Sequence, residues 1–112
     1  MSKIIIGTDL KFSIKVDPIE IEDKTEKLSL KDCEFEVEMF VDLDNKVTIP
    51  KDKATYKNDN EYYVGFNTND VGVGKLKCRV IMHLDDDVFE DLERTEIIEI
   101  DTGLKIVESI VK

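Results

Sequence analysis

Alternation of apolar and polar residues dominates this chain and predicts β-strands. Four apolar side chains of residues 9–16 share one face: Leu10, Phe12, Ile14 and Val16. This is the pattern of a half-buried strand. Asp17-Pro18 ends the segment, because proline cannot donate to a strand ladder. We expect residues 1–8 to form either an N-terminal arm or an edge strand, whereas the mixed, charged residues 19–32 predict only a short turn or a partial strand.

The two clearest strands carry opposite charges on their outer faces. The first, residues 33–41, places three acidic residues outward: Glu34, Glu36 and Glu38. The second, residues 75–84, places a mostly basic row outward: Lys75, Lys77, Arg79, Ile81 and His83. If the two strands are neighbours, pairs of opposite charge would help to set their register. Phe40 interrupts the acidic row and is either ordinary exposed apolar surface or part of a contact patch.

Short strands and turns fill the rest of the chain and predict its fold class. The pattern indicates strands at 47–49 and 61–67, a lysine-rich loop at 51–60, and two last strands at 94–101 and 104–111 around Thr102-Gly103. No helical stripe extends beyond about ten residues. We therefore predict a single all-β domain over residues 1–112, an immunoglobulin-like or baseplate-adaptor-like β-sandwich.

Charge is distributed unevenly along the chain. The net charge is -10, with net -8 in residues 17–44, net +3 in residues 45–81 and net -8 in residues 82–101. The two acidic zones either keep the protein in solution or steer neighbouring subunits into register. No basic stripe is interleaved with aromatic residues, so nucleic acid is not an expected partner. No apolar run approaches the roughly 18 residues of a membrane span, and the N-terminus does not resemble a secretory signal, so we expect synthesis in a cytoplasm.

The two cysteines and the acidic loops do not predict a cofactor. Cys33 and Cys78 fall at inward strand positions. Their spacing would allow a cross-sheet disulfide, but a reducing compartment favours buried free thiols. No Cys/His pattern suggests zinc. A calcium loop starting at Asp85 would place Phe89 at a ligand position and Glu90 at the glycine position, so we expect no metal.

No residue pattern predicts catalysis. The single histidine, His83, lies in the outward phase of its strand, which favours a surface or interface role over that of a general base. Carboxylates are so abundant that no pair stands out. The chain has no tryptophan to form a sugar platform. We expect a protein that is not an enzyme.

Short turn and strand motifs resemble those of small virion proteins of gut Bacteroidetes phages, including crAss-like phages. The motifs are Gly7-Thr8-Asp9-Leu10-Lys11, Asp17-Pro18, Asp32-x-x-Phe35, Asn67-Thr68, Gly72-x-Gly74-x-Leu76, FEDLERTE from Phe89 to Glu96, and Asp101-Thr102-Gly103. The resembling proteins carry a loop similar to Ile-Pro-Asp-x-Asp-Phe-x-Asp-Gly before Arg-Thr-Glu. Residues 84–93 of this chain lack both the proline and the glycine of that loop.

The resemblance implies a structural role in a phage particle. It suggests a head fibre or capsid accessory module, made in the host cytoplasm and present in the virion as a homo-oligomer such as a trimer. Its partners would be capsid, portal or fibre proteins. We expect the contacts to come from six residues: Phe40, Asp85, Asp86, Asp87, Phe89 and Arg94. Phe89 either packs under its own sandwich or fills a pocket of a partner.

Two alternatives to this function stay open at the sequence level. The module could be a tail or baseplate adaptor, or a β-sandwich that binds a cell surface. The lack of tryptophan and the small number of aromatic residues argue against glycan binding.

Overall fold

The computed structural model of this protein describes residues 2–17, 19–20, 27–85 and 88–109. These residues form strands and short 3-10 turns. The strands are β1 (Ser2–Ile5), β2 (Asp9–Lys15), β3 (Ile19–Glu20), β4 (Lys27–Leu28), β5 (Glu34–Phe40), β6 (Lys46–Pro50), β7 (Thr55–Asn58), β8 (Glu61–Asn67), β9 (Gly74–Asp85) and β10 (Glu93–Val107). The 3-10 turns are Leu30–Asp32, Lys51–Lys53 and Thr68–Asp70.

Two sheets pack face to face, which confirms the predicted all-β sandwich. The larger sheet has the order β1-β10-β9-β5-β6, and the smaller has the order β2-β8-β7. β3 and β4 form a separate two-stranded ribbon. This order matches the G-F-C-C′ and B-E-D strands of immunoglobulin-type sandwiches. β1 pairs in parallel with Leu104–Val107, so the N-terminal residues form an edge strand.

The core consists of the inward-facing residues of both sheets. Its most deeply buried apolar side chains are Leu30, Val37, Met39, Val64, Val71, Leu76, Cys78, Val80, Met82, Leu84 and Ile106. The core also contains an aromatic pair, in which Phe35 packs edge to face against Tyr62 with ring centroids 5.0 Å apart. The alternation that predicted the strands is therefore the pattern that fills the core.

The two strands with opposite outer charges are neighbours, which meets the condition for charge pairing between them. β5 and β9 are antiparallel neighbours, with Glu38 opposite Arg79. Arg79 Nη1 lies 3.3 Å from Glu38 Oε1, and Lys46 Nζ lies 2.6 Å from Glu38 Oε2. Glu38 is only 4% exposed, although it belongs to the outer face. A nearly buried carboxylate needs such cationic partners.

Phe40 corrects the sequence interpretation, because it is neither exposed surface nor an accessible contact. Its side chain is 6% exposed. The guanidinium of Arg79 lies over its ring, with Cζ 5.1 Å from the centroid. Burial here comes from a side chain on the next strand, which alternation within β5 does not reveal.

Two element assignments also differ from the sequence prediction. The lysine-rich segment at 51–60 is not all loop, since it contains the 3-10 turn Lys51–Lys53 and strand β7. All four residues of β7 are exposed, so no alternation marked it. The two strands predicted around Thr102-Gly103 are one strand, β10, with a register shift between Asp101 and Lys105. Gly103 has φ +72, a conformation that glycine adopts readily in a bulge.

The cysteines are both free and buried, as favoured from the sequence. Cys33 directly precedes Glu34, which pairs with His83, whereas Cys78 pairs with Met39. The two thiols thus belong to one sheet and are roughly 20 Å apart along it, at about 3.3 Å per residue. A disulfide needs Cα atoms within about 7 Å, so the cross-sheet bridge is excluded in this fold.

Native thiols should react slowly with a thiol reagent. Desolvation raises the pKa of Cys33, and it raises the pKa of Cys78 to about 11. Because the thiolate is the reactive form, Ellman's reagent should label neither cysteine of the folded protein rapidly and both after denaturation. The variants Cys33→Ser and Cys78→Ser assign each reaction. Rapid labelling of either thiol under native conditions would contradict the described burial.

Glu61 should stabilise the folded protein at neutral pH and lose this contribution in acid. Its carboxylate accepts hydrogen bonds from Ser13, Lys57 and Asn58. The Ser13 bond first, and then Lys57, lower the pKa of Glu61 from 4.5 to about 2. A lowered folded-state pKa stabilises the protein fully above about pH 4.5, and this contribution is lost as the pH falls towards 2.

Carboxyl NMR titration of Glu61 measures this directly. We expect its midpoint near pH 2 in the native chain and a higher midpoint in Ser13→Ala. The stability difference between the native chain and Glu61→Gln should shrink between pH 5 and pH 2. A difference that is constant over this range would contradict the assignment.

Candidate docking surfaces

The tip of the β9–β10 hairpin exposes three large apolar side chains. Val88 is 84% exposed, Phe89 45% and Leu92 63%. The loop lies beyond the end of β5, since Glu34 pairs with His83 while the β9–β10 ladder continues to Asp85. Exposed apolar residues are ordinary when scattered, but three within five residues at a hairpin end indicate a contact site. Phe89 is therefore outside the core, which rules out the first of its two predicted roles.

Leu92 has an unusual backbone conformation. Its φ is 62, and it is the one described residue other than glycine with positive φ. Its N–H donates to the carbonyl of Phe89 at 2.9 Å, which closes a turn of the type in which glycine is usual. Leucine disfavours this left-handed conformation by roughly 1–2 kcal/mol.

Leu92→Gly should stabilise the folded protein. Glycine relieves the left-handed strain but adds entropy to the unfolded chain, so we expect a net gain of about 0.5–1 kcal/mol in the free energy of unfolding. Leu43→Gly is the matched control, because Leu43 is also exposed but its φ is not positive. That variant should lose stability by a similar amount in urea unfolding. A lower free energy of unfolding for Leu92→Gly would show that the Leu92 side chain packs against its own chain.

The other predicted contact residues do not all lie at the hairpin end. Asp85 is exposed at the end of β9. Asp86 and Asp87 lie outside the described residues. Arg94 faces inward opposite Leu84, with Nε 3.4 Å from Glu96 Oε1. Of the described candidates, only Asp85 and Phe89 thus belong to the exposed hairpin end.

A basic face lies on the outside of the smaller sheet. Lys11 Nζ is 4.5 Å from the ring centroid of Tyr63, and Lys57 Nζ is 5.2 Å from the same centroid. Lys11 and Lys57 are exposed, and Tyr63 is half-buried between them. We call these three residues the basic face. Lys57 also forms an ion pair with Glu61, with Nζ 3.0 Å from Oε2. Alternation predicted that Lys11 points outward, but the strand pairing was needed to bring Lys57 and Tyr63 beside it.

His83 links three strands. Nδ1 lies 2.8 Å from Glu93 Oε1, and Nε2 lies 3.5 Å from Glu36 Oε1. Both ring nitrogens therefore face carboxylates of the neighbouring strands, β10 and β5. The half-buried imidazole connects these strands on the outer face of the larger sheet, in line with the predicted surface position.

Among residues 2–17, 27–85 and 88–109, no cluster of three or more histidine, cysteine or acidic side chains is arranged to hold a metal ion. The described part of the chain also lacks a helix that is long and apolar enough to cross a membrane. Neither finding bears on Asp86 or Asp87.

Comparisons with protein families, curated proteins and solved structures found no match to this chain. The resemblance to virion proteins thus rests on the short motifs alone, and a functional proposal must come from the surfaces described above.

Proposed function

We propose that this chain is a structural module of a multiprotein particle, of the phage virion kind, which assembles by docking the β9–β10 hairpin tip onto the basic face of another copy. The observation that carries the proposal is the exposure of Val88, Phe89 and Leu92 at the end of the hairpin. Aromatic and aliphatic anchors supply most of the energy of protein interfaces.

Charge favours the same contact. The tip contains Asp85, Glu90, Asp91 and Glu93 around its apolar side chains. The basic face presents Lys11 beside an aromatic ring, together with Lys57, whose charge Glu61 partly offsets. Complementary potentials orient partners and accelerate their encounter. The tip and the basic face are different surfaces, so their contact is heterologous and closes into a ring, such as a trimer, or continues as a fibre.

The strained conformation of Leu92 supports a role for the tip. An exposed leucine gains little from burial within its own chain, and its left-handed backbone disfavours folding. Strain of this kind concentrates at binding sites, where a partner supplies the compensating contact. The long axis of the molecule measures 58 Å against 28 and 24 Å, a shape that suits an elongated assembly.

Phe89→Ala tests the proposal. We expect the assembly seen for the native chain by analytical ultracentrifugation to weaken at least about tenfold, because an aromatic anchor contributes about 2 kcal/mol or more. The melting temperature should not change when both proteins are compared at a concentration at which each is monomeric, since Phe89 is outside the core. Association of the native chain should also weaken as salt rises, because exposed charges are screened over about 8 Å at physiological ionic strength.

Leu43→Ala is the control for this experiment, since it removes another exposed apolar side chain from a different loop. It should leave association unchanged. Equal association of Phe89→Ala and the native chain would reject docking through the tip.

A further inference from the structure

Within the described residues, the sandwich is open on one side, between two edge strands. β2 is the outer strand of the smaller sheet. In β10, residues 95–101 have no strand beside their outer edge within the described part of the chain, because β1 pairs only with Leu104–Val107. In immunoglobulin-type sandwiches with an A-B-E-D sheet, a first strand lies beside the strand that corresponds to β2. Here the first described strand lies beside the end of β10 instead.

A groove with an apolar floor lies at this open side. Its volume is about 390 Å³. Val16, Met82, Ile98 and Ile100 form its apolar lining, and Lys15, Asp17 and Glu96 form the charged part. Ile98 is 36% exposed, although it points towards the interior of the sandwich beside Val80. A strand added along β10 would direct every second side chain into this groove. The groove and the unpaired backbone therefore suit one extended segment.

The charge of the edge defines the chemistry of that segment. Residues 95–101 contain Glu96, Glu99 and Asp101 and no basic residue. Pairing of this edge with the same edge of a second copy would place three acidic residues against three more, and like charges oppose such pairing. Glu99 and Asp101 lie on the outer face of β10, whereas Glu96 lines the groove. An extended segment with lysine or arginine at its outward positions meets Glu99 and Asp101 with complementary charge.

The opposite edge of the same sheet shows the contrast. β6 carries Lys46 and ends at Pro50, and both residue types protect natural sheet edges from further pairing. Residues 95–101 contain three isoleucines and neither lysine nor proline. Among the described strands, the sheet is thus protected along β6 and open along residues 95–101.

We propose that residues 95–101 of β10 and the adjoining groove bind an extended segment of another protein, in which apolar residues alternate with lysine or arginine, as an added β-strand. Backbone hydrogen bonds to β10 give affinity, and apolar side chains over Ile98 and Ile100 give the register. This site is separate from the hairpin tip, so the proposal does not depend on self-assembly through Phe89.

The test uses the full chain and a fluorescent peptide of about nine residues that alternates valine with lysine. We expect saturable binding by fluorescence anisotropy, and a slowing of amide hydrogen exchange at alternate residues of 95–101. This alternating protection indicates strand addition, which diffuse charge attraction does not produce. Two controls should bind much more weakly: a valine-glutamate peptide, and a peptide with the lysines and valines in separate blocks.

Protein variants locate the site. Glu99→Lys should weaken peptide binding roughly five- to tenfold, because Glu99 lies on the outer face of β10, on the side of the peptide's lysines, and the change replaces an attraction by a repulsion. Ile98→Ala should weaken it by removing apolar contact, and Phe89→Ala should leave it unchanged. Lack of peptide binding, equal binding of the blocked peptide, or protection outside residues 95–101 would overturn the strand proposal. Assembly through the tip would be unaffected by such a result.

Discussion

Gly74→Ala should destabilise this protein by about 3 kcal/mol. Gly74 begins β9 with φ +140, a region that is almost restricted to glycine. A Cβ at this position would overlap Cγ1 of Val41, the residue that follows β5. Backbone strain and overpacking each cost roughly 1–3 kcal/mol, and the two effects act together here. Urea unfolding of the variant measures the sum.

Gly72→Ala separates the two causes. Gly72 has φ +85, but no atom lies within 4 Å of the position that a Cβ would take. The free energy of unfolding of this variant should fall only by the cost of the backbone strain, about 1–2 kcal/mol. Val41→Ala should recover part of the loss in Gly74→Ala, because it removes the overlapping methyl groups. Equal free energies of unfolding for Gly74→Ala and Gly72→Ala would contradict the close approach of Gly74 to Val41.

Arg79→Met should destabilise the protein by about 2–3 kcal/mol. The variant keeps apolar contact with Phe40 but leaves the nearly buried carboxylate of Glu38 with one cation, Lys46, in place of two. Removing one partner of a buried pair is costly because it leaves a charge without full compensation. Arg79 is itself partly exposed, so we expect a smaller loss of stability than when a fully buried ion pair is broken. Thermal unfolding at neutral pH measures it.

A double-mutant cycle checks this interpretation. Glu38→Met together with Arg79→Met should be more stable than Arg79→Met alone, since the unpaired carboxylate is then absent. Glu99→Gln is the control, because Glu99 also contacts Arg79 at 3.3 Å but its side chain is 67% exposed. That change should cost less than about 1 kcal/mol. Equal losses of stability in Glu99→Gln and Arg79→Met would contradict the interpretation that the nearly buried carboxylate of Glu38 needs Arg79.

The sequence was sufficient to predict strands whose two faces differ. The alternation in β5 and β9 identified their inward residues, and their opposite outer charges predicted that ion pairs form if the two strands are neighbours. β7 was missed because it is exposed on all its residues, so no alternation marks it. Phe40 was misjudged because Arg79, from another strand, covers it. Patterns within one strand report the two faces of that strand and not what a neighbouring strand places on them.

The candidate surfaces were less predictable than the fold. The acidic loop and Phe89 stood out in the sequence, but no pattern marked Leu92. The groove was not predicted, although Val16, Met82 and Ile98 were each assigned to strands. Its position depends on β1 pairing with the end of β10, a parallel contact between the two ends of the described chain. Such long-range pairing leaves no local pattern.

The mass of a mixture of two variants tests the proposed assembly most directly. Phe89→Ala impairs the tip and Lys11→Glu impairs the basic face, so each variant alone should remain a monomer of about 12.9 kDa by light scattering. Mixed in equal amounts, the intact tip of one should dock on the intact face of the other and stop at a dimer. We predict this dimer, and larger species only for the native chain. A native chain that is monomeric at low salt, or a mixture that remains monomeric, would contradict docking of the tip on the basic face.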